Sequence, residues 1–537
     1  MRALAFVLVM GAAPAAAADW LQFGFDPSHR GINTAETTLS PANVAQLKLL
    51  YSVTLPAKAE GAPVLLANVV SSGHGKKSKY DVLFLTLRNG TLLALDAATG
   101  KQLWSQYPAG SNACAANGGC FTTSSPAIDP GRQYVYNYAL DGYVHKYQVS
   151  NGTEVSGRGW PQLVSTKPDT EAESAALGFA TAGDRATYLY ATISSAPWLS
   201  DFGGYDYQGH ITAISLSTGK QITFNVTCSD QGSVHFVKND PNPPIISQPD
   251  CAKQFFTNNG QTLSAGDGGI WGRGGATYDP ANDRIYIATG NGLFDANNGG
   301  HNWSDSVLAL PAALTSARTT PVNSYTPVEY QSMMYYNNDL GSTSPVLVPA
   351  PAGSVRTHLG LQVGKDSYLR LIDLDMMSGA AGNTGGDLFV GAVPQGNEVK
   401  TQPLVWTNPA THDLMLIIAN NFGISASRIY ADPANGNLPA IQGSGPPNWV
   451  NPGVAVAGSS TSTGGSSPVI ANGVLYYAGG SGVLALDPVS GATLWNDTSM
   501  GVADAGTTSR FRKQSLIVVN GRVYAPDNQG RLWVYQQ

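Results

Sequence analysis

The sequence predicts an all-β protein, an eight-bladed β-propeller of four-stranded antiparallel blades whose ring is closed by its N- and C-terminal strands. Three observations predict it. One unit recurs along the chain, clearest at residues 467–495 (SPVIANGVLYYAGGSGVLALDPVSGATLW), with short apolar runs parted by Asn472-Gly473 and Gly479-Gly480, both hairpin signals. Blade-start segments recur at Gly61, Ser124, Ala175, Gly275, Ser342, Thr401, Ser467 and Gln514. The two ends are complementary: KLLYSVTL at residues 48–55 is a lone fourth strand, while residues 514–537 supply three strands and no fourth. A small sheet with two apolar faces cannot bury both alone, so copies stack face to face around an axis.

Within the unit, Asp487 caps a turn that ends at Gly491, and Trp495 is expected at the blade's outer edge against its neighbour. The same turn stands at ALDAATGKQLW (94–104) and AISLSTGKQI (213–222), with degenerate copies at 147–155 and 371–379. Charged residues make up 12% of the chain against 61 Gly, and long amphipathic periods are absent, so helix should be scarce. The net charge of -6 is spread without a basic stripe, which argues against a nucleic-acid partner.

Residues 1–18 read as a secretory signal peptide: Arg2, an apolar run, then a small-residue cleavage site. Residues 19–537 are then one propeller domain, starting with a mostly polar lead-in at 19–47. No later apolar run is long enough for a membrane anchor, and the expected location is the periplasm or the extracellular space. In that oxidising compartment the spacing suggests disulfides Cys114–Cys120 and Cys228–Cys251, other pairings remaining open.

The AxDxxTGKxxW turn, repeated through eight blades after an export signal, resembles the pyrroloquinoline quinone (PQQ) repeat of quinoprotein dehydrogenases, and more narrowly their polyvinyl-alcohol dehydrogenase branch. The likeness covers nearly the whole mature chain. It implies Glu60, in KAEGAP, as a hydrogen-bond partner of the quinone. Asn291, in the segment YDP…ATGN, matches a metal ligand, and Asp339, in NDLG, matches the catalytic base and a second ligand of Ca²⁺ or a lanthanide. Lys365 falls where the family places a cation on the quinone oxygens, and Asn420 near another polar contact. Chemically, Asp339 would remove the hydroxyl proton of an alcohol while the metal polarises the reactive carbonyl, and Lys365 would stabilise the reduced ring.

The chain also departs from the pattern. Five residues separate Cys114 from Cys120, where the family has a vicinal pair on the ring. Gly275 stands where a floor Trp is expected, and Trp271, close but out of register, is the candidate for that face. Residues 194–204 contain no Glu to match the second acidic metal ligand, Asp201 being the nearest carboxylate. No CxxCH haem site exists, so electrons would pass to an external acceptor such as a cytochrome c. The implied activity is oxidation of a small or polymeric alcohol. The alternative is a non-catalytic propeller that binds protein or glycan on a rim.

Overall fold

The computed structural model describes residues 17–73, 75, 77–108, 121–168, 170–195, 207–227, 255–258, 261–264, 268–315, 320–379, 382–451, 465–479, 482–497, 511 and 514–537. All four cysteines, Asp201 and most of the signal segment lie outside these residues. The described chain forms eight small antiparallel sheets and one extra hairpin, Phe255–Asn258 with Gln261–Ser264. The innermost strands are Val64–Ser71, Ala127–Ile128, Gly178–Thr181, Thr277–Asp279, Val346–Val348, Leu404–Thr407, Val469–Ala471 and Ile517–Val519, each a few residues after its expected start. Blades are numbered 1 to 8 in that order. In blade 8, Lys48–Thr54 is the outer strand and pairs antiparallel with Arg531–Gln536, setting Leu49 against Tyr535 and Val53 against Leu532. This is the closure expected from the unmatched ends.

The recurring turn has a specific packing job. In blade 1, Asp96 accepts the Ala98 N-H at 2.9 Å and the Thr99 hydroxyl at 2.7 Å, and Gly100 takes φ +72°. A Cβ on Gly100 would lie 2.6 Å from the Tyr51 ring of blade 8. Likewise a Cβ on Gly152 of blade 2 would lie 2.5 Å from the Trp104 ring of blade 1, and one on Gly491 of blade 7 would lie 2.4 Å from Trp449 of blade 6. The glycine therefore supplies both a positive φ and a bare surface on which the preceding blade rests an aromatic. Where that aromatic is missing, the contact is polar: Gln162 of blade 2 donates to the Gly219 carbonyl at 2.9 Å. Trp495 sits at the outer edge of blade 7, donates to the Leu47 carbonyl at 2.9 Å and meets the Tyr535 ring edge-on, as expected.

The lead-in is not a solvated tail. It runs along the free inner edges of the innermost strands, where Trp20 bridges to Leu65, Leu21 O accepts the Ile128 N-H, Gln22 accepts the Phe179 N-H, and Pro27 O accepts the Tyr278 N-H. Ile32–Asn33 then adds a parallel fifth strand to blade 7, and Asn33 donates to Val518 O of blade 8. Edge groups that would otherwise face the axis unpaired are satisfied in this way. Trp20, Phe23 and His29 are buried there, and both His29 ring nitrogens lie on carbonyls, Phe23 O at 2.9 Å and Ala276 O at 2.8 Å.

Two tests follow from this packing. Gly152→Ala should destabilise the fold by about 1–3 kcal/mol, from the positive φ and the ring contact together. In a Trp104→Ala background the loss should shrink to the φ component, read as non-additivity in a denaturation double-mutant cycle. The second concerns His358 of blade 5, whose ring nitrogens lie 2.7 Å from Asp279 of blade 4 and 2.7 Å from Asp375. Burial works against its charge, but the two carboxylates raise its pKa. The tie is therefore complete below an unfolded-state pKa of about 6.5 and is lost as pH rises through the higher folded value. The stability advantage of the native chain over His358→Gln should be largest near pH 6 and fade by pH 9, as followed by melting temperature.

Candidate functional site

Alternating strand direction brings the starts of the innermost strands and the hairpins between second and third strands to one end of the channel. Glu60, Arg273 and Asp339 precede innermost strands; Arg88, Asn291, Lys365 and Asn420 stand at those hairpins. The backbones approach closely here, since a Cβ on Gly61 would lie 2.2 Å from Ser124 O and one on Gly341 would lie 2.5 Å from the Thr289 carbonyl carbon.

Blades 4 and 5 carry the densest group. A short helix, Tyr330–Tyr336, is ended by Asn337 at φ +57°, and Asp339 follows at the start of a 3-10 turn. Asp339 is buried; one carboxylate oxygen accepts the Asn291 N-H at 2.9 Å, and the carboxylate pairs directly with the Lys365 ammonium. Lys365 also donates to the Asn337 side chain at 3.2 Å and lies 5.1 Å from the centre of the Trp271 ring. Gly290 leaves space for both partners, since a Cβ there would lie 2.6 Å from Asp339 Oδ1 and 3.1 Å from Trp271 Nε1. The structure thus brings Asn291, Asp339, Lys365 and Trp271 together, although Trp271 is out of register in sequence.

Sequence reasoning missed Asp305. It is 2% exposed, accepts the Leu340 N-H at 3.1 Å, and lies 3.0 and 3.1 Å from the Asn291 amide when that amide donates. Burial first, and the Asp339 charge second, push its pKa well above the usual carboxylate range. Lys400 was also missed. It pairs with Glu398 at 2.7 Å, and burial lowers its pKa while Lys365 and Asp339 act on it through space.

Glu60 stands apart from this group, paired with Arg88 at 3.3 Å; Arg88 in turn stacks over Phe121 at 3.6 Å. The charge of Glu60 reaches Arg273, two residues after Trp271. Asn420 has its amide engaged locally: it donates to Gly396 O at 2.6 Å and accepts the Phe422 N-H at 2.9 Å. Among the described residues no three His, Cys, Asp or Glu side chains gather as a metal cluster. The donors near Asn291 are two carboxylates and two amides, an oxygen set that suits a hard cation. Two carboxylates in one buried corner repel, and a cation held by Asn291 and Asp339 would relieve that repulsion.

The family profile described as glucose/ethanol/alcohol dehydrogenase, beta-propeller domain (PQQ) matches residues 20–316. The dehydrogenase subunit of a quinone alcohol dehydrogenase from Komagataeibacter europaeus is 25% identical over 364 residues, 62% of this chain and 43% of that protein. The chain thus spans under half the length of this curated relative. Two solved structures share the fold. A quinohemoprotein alcohol dehydrogenase from Pseudomonas putida aligns with a TM-score of 0.60 at 15% identity, covering 96% of this chain and 80% of the other. A europium-containing methanol dehydrogenase aligns at 0.59 and 14%, covering 97% and 98%. The profile spans more than half of the sequence, and the propeller follows the same plan, so the chain belongs to the PQQ glucose/ethanol/alcohol dehydrogenase β-propeller family.

Proposed function

We propose that the protein is an exported PQQ-dependent dehydrogenase that oxidises an alcohol, small or polymeric, and passes the electrons to an external acceptor such as a cytochrome c. The observation that carries this reading is the contact of Asp339 with Lys365 and Asn291 beside Trp271, in a propeller of this family. When bound, the quinone would accept the two electrons of the alcohol's oxidation. Asn291 and Asp339 would hold Ca²⁺ or a lanthanide, with Asp305 and Asn337 behind them.

Asp339 would act as the general base: its carboxylate lies at the strand-start end of the channel and would take the hydroxyl proton of a substrate. The Asn291 N-H holds one of its oxygens and the Lys365 ammonium the other. Lys365, held between Asn337 and Trp271, would offer its positive charge to the quinone oxygens. Trp271 offers a flat face to a planar ring. Glu60 would accept a hydrogen bond from the ring system at the opposite side. Asn420 orders the loop that leads to Lys400.

PQQ added with Ca²⁺ should raise the melting temperature in step with ligand concentration, the stabilisation reaching about 2.7 kcal/mol at one hundred times the dissociation constant. Asp339→Asn should keep that shift yet lose turnover in a dye-reduction assay by about 10²-fold or more, because it removes the base with little change of shape. No shift at saturating PQQ would leave a protein- or glycan-binding propeller as the better reading.

A further inference from the structure

Four alanines, Ala15 to Ala18, stand before Asp19. A signal peptidase reads small residues one and three positions before its cut. A cut after Ala18 puts Ala18 and Ala16 in those positions, and a cut after Ala17 puts Ala17 and Ala15 there. The two products differ by one alanine, and the small-residue pattern does not choose between them. The folded chain does, because it treats the two alanines differently. Ala17 is exposed, whereas Ala18 is half-buried and its side chain packs against the core shared by blades 7, 8 and 1.

The backbone of Ala18 is gripped at two points by one side chain 502 positions away: its N-H donates to Asn520 Oδ1 at 2.7 Å, and Asn520 Nδ2 donates to the Ala18 carbonyl at 3.0 Å. Asn520 stands at φ +55° in the Asn520-Gly521 turn between Ile517–Val519 and Arg522–Pro526 of blade 8. That turn needs a residue that tolerates positive φ, which Gly would serve as well, so the amide is the part of Asn520 that the turn does not use. From Ala18 onwards the ties are continuous. The Asp19 carboxylate accepts the Ala67 N-H at 3.0 Å and pairs directly with Arg132, which donates to Ala67 O at 2.7 Å. Trp20 exchanges two backbone bonds with Leu65, each of 2.8 Å. Among the described residues these ties begin at Ala18. A cut after Ala18 would strip both polar atoms of the Asn520 amide of that partner and take a side chain out of the core.

We infer that the exported chain is cut between Ala17 and Ala18, and that Asn520 is the receptor for the α-ammonium group this cut creates. The inference rests on the export proposed above and is independent of the quinone chemistry. Hydrolysis breaks the Ala17–Ala18 peptide bond, leaving the hydroxyl of water on the Ala17 carbonyl carbon and its hydrogen on the Ala18 nitrogen. That amine takes up a proton at neutral pH, since an α-amino group has a pKa of about 7.7–8.0. The nitrogen already lies 2.7 Å from Asn520 Oδ1, so the bond is kept and becomes charge-assisted. The peptidase works on the unfolded chain, so the fold does not direct the cut; the fold is built to hold one of its two products.

Amino-terminal sequencing and intact mass test the cut, on protein expressed as the full chain and recovered from the periplasm of a bacterial host. Ala18 should be the first residue. A chain beginning at Asp19, or at any other residue after Met1, would overturn the inference and leave export standing, whereas an uncut chain beginning at Met1 would remove both. Two variants of the processed chain test the receptor by melting temperature. Asn520→Gly keeps the positive φ and loses the clasp, and should melt about 1–3 °C lower. Asn520→Asp sets a carboxylate against the ammonium and should recover most of that loss at low salt, the recovery fading as salt rises. An Asn520→Gly chain that melts with the native one, or an Asn520→Asp chain no better than Asn520→Gly, would overturn the receptor.

Discussion

Pairing of Lys48–Thr54 with Arg531–Gln536 is the contact on which the rest depends. Each other blade draws its antiparallel strands from residues near one another in sequence. Blade 8 alone draws its outer strand from the start of the chain and its inner three from the end, so its formation fixes the ring's circumference. The ring in turn sets how near the innermost strands come to the axis. Residues from blades 4 and 5 touch through Asp339 and Asn291, and Arg273 reaches Thr123, only because that distance is short. A propeller held open at this seam would keep its sheets and lose its site.

Outer and inner rims use glycine for related reasons. At the rim, Gly100, Gly152 and Gly491 let an aromatic of the preceding blade lie on bare backbone. At the axis, Gly61, Gly272 and Gly341 let backbone lie on backbone. The first set defines the angle between blades, and the second lets eight strand starts share a narrow volume without filling it. The space left over is lined by charge: Asp305, Asp339, Lys365, Lys400, Glu60, Arg88 and Arg273 stand there, in a chain otherwise poor in charged residues.

Much of this was legible in the sequence. The turn repeat fixed blade number, and the unmatched ends fixed closure, because both are written in local patterns of apolar runs and turns. Asn291 and Asp339 could be found through short motifs and do meet, and Lys365 joins them. What escaped was anything whose meaning depends on burial across the axis. Asp305 in WSDS and Arg273 in WGRGG each read as one charge among small residues. Arg88 precedes Asn89-Gly90 and reads as a hairpin turn. The lead-in escaped for another reason: its contacts with the blades are made by backbone groups and by single polar side chains such as Gln22, His29 and Asn33, which leave no periodic signature.

That lead-in also bears on the channel. Residues 20–33 lie along the inner edges of the blades, and Gly274 rests near the His29 ring, with a would-be Cβ 3.3 Å away. The lead-in is thus the surface against which the Arg273 turn is set, and a change in it reaches the channel without altering a blade.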